Sequence, residues 1–471
     1  MRVLFKIWRN LCRAALALLA ALCLALLAHG CRPPAPSEPA GDAAGRPTLR
    51  LFLLSNVAGV LEPCGCTSDQ LGGLDHLAAL IEAERTATSR SLVLAAGPLL
   101  FATPALARET APQLRWKAEA VALAMSDIGL AAWAPGASDW ADGAATLGRL
   151  RALARADLLG AKLDAAPAIV SRLYELRGVA VGVLGVSAPA GLPGAVRAEA
   201  RALVGRGARL LVALVAMPRG EALRLAEAVP ELDLMLLGKP SEPGELDDEP
   251  PEPTTVASTL VVQTANHGRA VAIVDVLLAP APEASAGARP GRAQLHLAVR
   301  EVREAAGTSP RTAVRLRDYY RRVDEHNARV YADARPPPVP DGQAGYVGAA
   351  RCGSCHEAAL RQWQGTAHAR AHETLTQRFA AHNFDCVPCH VTGYGQPGGA
   401  TVTWGEPLRG VGCEECHGPG SLHCEQPEQQ GLVRVQPEPQ SCAQRCHRPP
   451  HVRGFDPVAK MALVLGPGHG R

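Results

Sequence analysis

Four clusters of cysteine and histidine stand near the end of the chain. They read Cys352-Gly-Ser-Cys355-His356, Cys386-Val-Pro-Cys389-His390, Cys413-Glu-Glu-Cys416-His417 and Cys442-Ala-Gln-Arg-Cys446-His447. Three are Cys-x-x-Cys-His, the attachment signature of c-type haem. The fourth carries one extra residue between its cysteines. Two thiols add to the two vinyl groups of one haem, and the following histidine reaches the iron from one side. The proximal ligands are then His356, His390, His417 and His447. The competing chemistry is zinc, which Cys-x-x-Cys pairs also bind. Repetition behind an export signal favours haem, because disulfide and haem chemistry both belong outside the bacterial cytoplasm. The count expected is four haems c. It falls to three if Cys442 and Cys446 stay unattached, with Cys424 then able to pair with one of them.

Each iron needs a second ligand or keeps an open position. His368, His423, His372, His382 and His451 are the candidates, with a surface role as the alternative for each. Two imidazoles give a closed iron suited to electron transfer, while an open position permits ligand binding or redox catalysis.

The chain has 471 residues, 47% of them hydrophobic but only 4% aromatic, so a core must be built from Ala, Leu and Val. Its net charge is +3 and no strongly basic block appears, which weighs against nucleic acid as a partner. Haem propionates would make the C-terminal region acidic and favour basic redox protein partners.

The positioning elements come earlier. Residues 1–30 form an export signal: Arg2, Lys6, Arg9 and Arg13, then an apolar run from Ala14 to Ala28. That run is short for a membrane span. Leu27-Ala28-His29-Gly30-Cys31 resembles a bacterial lipobox, which implies lipidation of Cys31, a membrane tether and an envelope location. An ordinary signal peptide or an uncleaved anchor is the alternative. Residues 31–47 read as a flexible tether. Residues 48–300 read as an α/β domain, with apolar runs at 49–54, 91–96, 179–185, 210–216 and 232–237 between helical patterns, as in a sheet covered by helices on both faces. Residues 301–344 hold a charged helix, with Ser309 as cap and Pro310 in its first turn, and the stiff linker Arg335–Pro340. The haem region is 345–471.

Two resemblances sharpen this. The stretch from Tyr346-Val347-Gly348 through Trp363-x-x-Thr366-x-His368-Ala369, Gly410-Val411-Gly412-Cys413, His417-Gly418-Pro419-Gly420-x-x-His423 and Phe455-Asp456-Pro457 resembles the cytochrome c-554 family. The resemblance implies a mostly irregular, helical multihaem domain and distal roles for His368 and His423. Residues 48–300 resemble the metallophosphatase domain of the 5′-nucleotidase family, on Leu71-Gly72-Gly73, Val93–Gly97 and Gln263–Arg269. Where that family places metal ligands, this chain has Asn56-Val57-Ala58, Gly97-Pro98, Ala137-Ser138-Asp139 and Lys239, and no histidine at 215–218. The fold is expected to be kept and the two-metal chemistry lost. His267 reads as structural. Glu62-Pro63-Cys64-Gly65-Cys66 replaces the loop after the first strand, as a metal or redox site or as thiols bound for a disulfide.

The reading is an exported, membrane-tethered electron carrier whose α/β domain is a scaffold or docking module. The alternatives are a haem enzyme acting on a small nitrogen or sulfur species, and an active phosphoesterase.

Overall fold

A computed structural model describes residues 47–63, 70–85, 90–160, 169–186, 193–239, 249–278, 292–448, 452 and 455–466. Cys31, Cys64, Cys66 and His451 lie outside the described residues.

Among the described residues twelve strands form two six-stranded sheets. The first is ordered β12-β11-β1-β2-β3-β4 and the second β5-β6-β7-β8-β10-β9. The strands of the first are β1 (Leu49–Ser55), β2 (Ser91–Gly97), β3 (Leu130–Pro135), β4 (Asp157–Leu158), β11 (Ala270–Leu277) and β12 (Gln294–Glu301). Those of the second are β5 (Ile169–Glu175), β6 (Ala180–Val186), β7 (Leu210–Ala216), β8 (Leu234–Gly238), β9 (Thr254–Val256) and β10 (Thr259–Val262). β1, β2, β3 and β4 run parallel, as do β6, β7, β8 and β10. β11, β12, β5 and β9 pair antiparallel with their neighbours.

Side-chain alternation explains the layering. Leu49, Leu51 and Leu53 pack with Leu210, Val212 and Leu214 of the other sheet in one core. Phe52 and Leu54 point the other way, into a core shared with α1 (Leu74–Glu84), α2 (Ala111–Asp127), α3 (Gly143–Ala154) and α6 (Pro310–Val330). α4 (Pro193–Gly205) and α5 (Arg219–Ala228) cover the outer face of the second sheet. The α/β class expected from the sequence is present. In place of one sheet between helices, two sheets meet face to face and each carries helices on its outer side. A strand buried on both faces is apolar throughout, whichever element covers the second face.

The charged helix α6 has one buried stripe: Thr312, Leu316, Tyr319, Val323 and Asn327. Ser309 and Pro310 stand at its start as expected, although the Ser309 side chain makes no capping bond.

After residue 348 the chain is mostly turns and short helices: α7 (Ala349–Gly353), α8 (Glu357–Gln364), α9 (Ala371–Thr376), α10 (Val387–His390), α11 (Cys413–His417), α12 (Ser421–Glu425), α13 (Gln440–Arg445) and α14 (Pro457–Met461). Its small apolar core is Leu375, Ala380, Val387, Val391, Ala400, Val402 and Leu408. The residues from Pro47 onward form one compact unit. Gln113 of α2 donates to Asn383, and its carbonyl oxygen accepts from Asn327 of α6 and from the Phe384 amide. Asn327 also donates to the His382 carbonyl. Lys117 pairs with Asp385 at 2.9 Å. No described helix is long and apolar enough to cross a membrane.

Candidate haem-binding site

Cysteines three apart lie within one helical turn, so both thiols of a motif reach the same side. In the first motif the His356 amide donates to the Cys352 carbonyl at 3.0 Å. In the fourth, the His447 amide donates to the Cys442 carbonyl at 2.9 Å, across one more residue. The extra residue is absorbed by a wider turn, and the histidine keeps the same backbone bond to the first cysteine.

The histidines fall into facing pairs from distant parts of the chain. His356 and His423 are parallel to within 20° with ring centres 6.3 Å apart. His368 and His447 have ring centres 6.2 Å apart. A metal–imidazole bond of about 2 Å, plus roughly 1 Å from nitrogen to ring centre on each side, separates two axial imidazoles of one iron by about 6 Å. Both pairs have that spacing. His368, which follows the first motif in sequence, faces the fourth motif instead. His447 is also stacked on Phe455, 4.2 Å away and nearly parallel.

The other two proximal candidates are oriented by backbone. His390 Nδ1 lies 2.6 Å from the Ala371 carbonyl, and His417 Nδ1 lies 2.6 Å from the Arg434 carbonyl. A carbonyl only accepts, so Nδ1 carries the proton and Nε2 is left with its lone pair, the form that ligates a metal. Burial lowers the pKa of His368, His390 and His447, which favours the neutral, ligating imidazole.

The motifs also meet out of sequence order. The thiols of Cys352 and Cys413 lie beside each other, and so do those of Cys389 and Cys446. The first motif therefore neighbours the third, and the second neighbours the fourth. None of the nine described cysteines is in a disulfide, and Cys424 lies beside the Cys352–Cys413 pair. Among the described residues no three His, Cys, Asp or Glu side chains converge as a metal cluster, whereas a structural zinc site needs four such ligands. The donors present fit haem c: paired thiols on single turns, and imidazoles facing each other across the width of an iron.

Of the remaining histidines, His382 is turned to α6, with Nδ1 2.9 Å from Asp324. His372 is held down to about 4, chiefly by burial, with Arg409, His382 and His390 adding to it. Sequence reasoning missed Glu414. Its buried carboxylate accepts from the amides of Val347, Gly348 and Gly420, tying the third motif to the segment before the first. Its place inside Cys413-Glu-Glu-Cys416 hid it, because the middle positions of such a motif are usually unconstrained.

Residues 351–418 match the family described as cytochrome c554 and c-prime. This stretch is similar to the cytochrome c-554 family. It is 42% identical over 93 residues to cytochrome c-554 of Nitrosomonas europaea, covering 16% of this chain and 40% of that protein, so the chain spans under half of its relative's length. A cytochrome c-554 segment implies haem c.

The described chain is also similar to a 5′-nucleotidase precursor from Thermus thermophilus, at TM-score 0.48 and 18% identity, over 64% of this chain and 61% of that one. It is similar to the sulfate thiohydrolase SoxB of Thermus thermophilus at TM-score 0.48 and 16% identity, covering 77% and 73%. For the NAD nucleotidase of Haemophilus influenzae the TM-score is 0.46 with 14% identity, covering 64% of each chain.

At the C-terminal ends of the sheets, the residues standing at expected metal positions bond to protein. Asn56 accepts from the Lys239 amide and donates to Asn266, both at 2.8 Å. Asp139 accepts from the amides of Leu99, Leu100 and Gly136. Ser138 donates to the Phe101 carbonyl. The sheets also touch there. A Cβ on Gly97 would lie 2.0 Å from Asn56 Oδ1 and 2.9 Å from the Gly238 Cα.

Proposed function

We propose that this protein is an exported electron carrier holding four haems c, tethered to a membrane through Cys31, with its α/β part as a non-catalytic scaffold. The facing histidine pairs carry the reading. Bound haem supplies a one-electron iron couple whose potential is set by axial ligands, burial and hydrogen bonds. Cys352 with Cys355, Cys386 with Cys389, Cys413 with Cys416 and Cys442 with Cys446 would hold it. His356 with His423 and His447 with His368 would hold two irons, and His390 and His417 are aimed by their carbonyl bonds. Closed irons exchange electrons with protein partners rather than bind substrate. The wide turn at Cys442 favours occupancy of the fourth motif, because His447 keeps the backbone bond its counterpart makes.

A scaffold role for the α/β part is supported by Asn56, Ser138 and Asp139, whose polar atoms are used in protein bonds, and by the Gly97–Gly238 contact between the sheets. The tether and the envelope location rest on the basic start, the apolar run and Gly30-Cys31.

Intact mass of protein made with haem-attachment machinery tests the count. Four haem masses are expected, and Cys446→Ser should lower the haem-to-protein ratio by about a quarter on one haem per motif. A mass with zinc and no haem would sink the reading. Robust Mn²⁺- or Co²⁺-dependent nucleotide hydrolysis, abolished by changes in the α/β part alone, would remove the scaffold role.

A further inference from the structure

The bonds around Glu414 reach beyond the third motif. The residue lies on α11 and is only 3% exposed. Its Oε1 accepts from the Val347 amide at 3.0 Å and from the Gly420 amide at 2.8 Å, and its Oε2 accepts from the Gly348 amide at 2.8 Å. Val347 and Gly348 precede the first motif, whereas Gly420 precedes α12. Two more bonds join the same segments. The Ser421 amide donates to the Gly345 carbonyl at 3.0 Å, and the Gly345 amide donates to Ser421 Oγ at 2.8 Å. From this clamp, short runs of backbone bonds lead to two facing histidines. On one side the Gly348 carbonyl accepts from the Cys352 amide, and the Cys352 carbonyl accepts from the His356 amide. On the other the Gly420 carbonyl accepts from the Cys424 amide, closing the turn of α12 that carries His423. Both rings therefore hang from turns anchored to one carboxylate.

We propose that Glu414 is the positioning residue for the iron between His356 and His423, acting on it from inside a different motif. This rests on the reading that the first motif carries haem. A carboxylate suits the task, because both of its oxygens accept and three N–H groups converge on them. Bonds from N–H groups to a charged acceptor are short and strong, and burial keeps water from competing for them. Groups that hold the support of a metal ligand set that ligand's orientation. Here they fix the mutual tilt of the two rings, which are parallel to within 20°.

Glu415, the next residue, is used differently. It accepts from the Gly393 amide and pairs with Arg445 of the fourth motif at 2.8 Å. The two middle residues of the third motif thus serve different neighbours, and of the two it is Glu414 that holds the segments bearing His356 and His423.

The test is electron paramagnetic resonance of the full, haem-loaded protein. Nearly parallel imidazole planes give a rhombic low-spin signal, and a twist between them raises its largest g value. His423→Ala marks the signal of this pair, because that signal is lost. Glu414→Gln keeps the size but trades one accepting oxygen for an NH₂ group that faces N–H donors. It should raise the largest g value of the marked signal and leave the haem-to-protein ratio and the other signals as they were. Glu414→Asp keeps the charge, shortens the reach by one methylene, and should move the same signal. Glu415→Gln removes a charge one residue away and should leave it unmoved. An unmoved signal in Glu414→Gln, or an equal shift in Glu415→Gln, overturns the inference. A like change in every signal overturns it too, since Glu414 would then be a general support. Should Glu414→Gln fail to accumulate, an unmoved signal in Glu414→Asp overturns it. Protein without haem at Cys352 and Cys355, or a spectrum that His423→Ala leaves unaltered, defeats the proposed function as well, whereas an unmoved signal in loaded Glu414→Gln defeats this inference alone.

Discussion

Strand β7 buries all seven of its residues, while helix α8, eight residues long, buries none. The α/β part is held by aliphatic side chains from sheets and helices that interlock over three contiguous cores. The cytochrome segment has one small core and a set of helices of four to eight residues. Helices that short do not stand alone in water, and a region so poor in buried apolar side chains needs another source of cohesion. In one part the chain supplies its own interior. In the other, a bound haem would supply much of it, and the chain supplies thiols, imidazoles and the surface α6 offers.

Three experiments break or sharpen that contrast. The largest effect is expected from withholding haem. Protein made without attachment machinery should lose protease resistance beyond about residue 340, while the sheets keep theirs. Limited proteolysis read by mass would show this, and a haem-free C-terminal region as resistant as the loaded one would erase the contrast. Next comes Trp133→Ala, on β3 in the centre of the outer core, where the side chain is fully buried. It should cost about 3–5 kcal/mol of stability in denaturant titration and leave haem content per folded molecule unchanged. Loss of haem in molecules that still fold would mean the two parts are less distinct. The smallest effect on stability should come from His423→Ala. It removes the partner of His356 and should convert one haem to a high-spin state, seen by electron paramagnetic resonance, with little change in melting. An unaltered spin state would remove His423 from the ligands.

The sequence carried the chemistry more plainly than the architecture. Cys-x-x-Cys-His is a local pattern, so the motifs could be read directly. The apolar strands were equally legible, because each is a continuous run such as Leu210–Ala216. The pairing of two sheets was not, since such a run is the same against a helix or a sheet. The approach of His368 to His447 was also hidden, as contacts between residues 79 apart are set by tertiary packing alone. Nothing in the sequence marks Gln113 and Asn383 as partners, although that pair, with Asn327 and Lys117, seats the second motif. The stripe on α6 could be read from its spacing. That it ends in a buried asparagine touching the cytochrome segment could not.

Four contacts inside that segment cross its middle. Cys352 meets Cys413, Cys389 meets Cys446, His356 faces His423 and His368 faces His447. Its two halves are laced like the sides of a boot. A single cut in the exposed stretch near Gly395 and Gln396, between the second motif and the third, should therefore leave both fragments bound to each other. The broken chain would come apart only once the laces themselves were undone, by taking away the facing imidazoles or the paired cysteines.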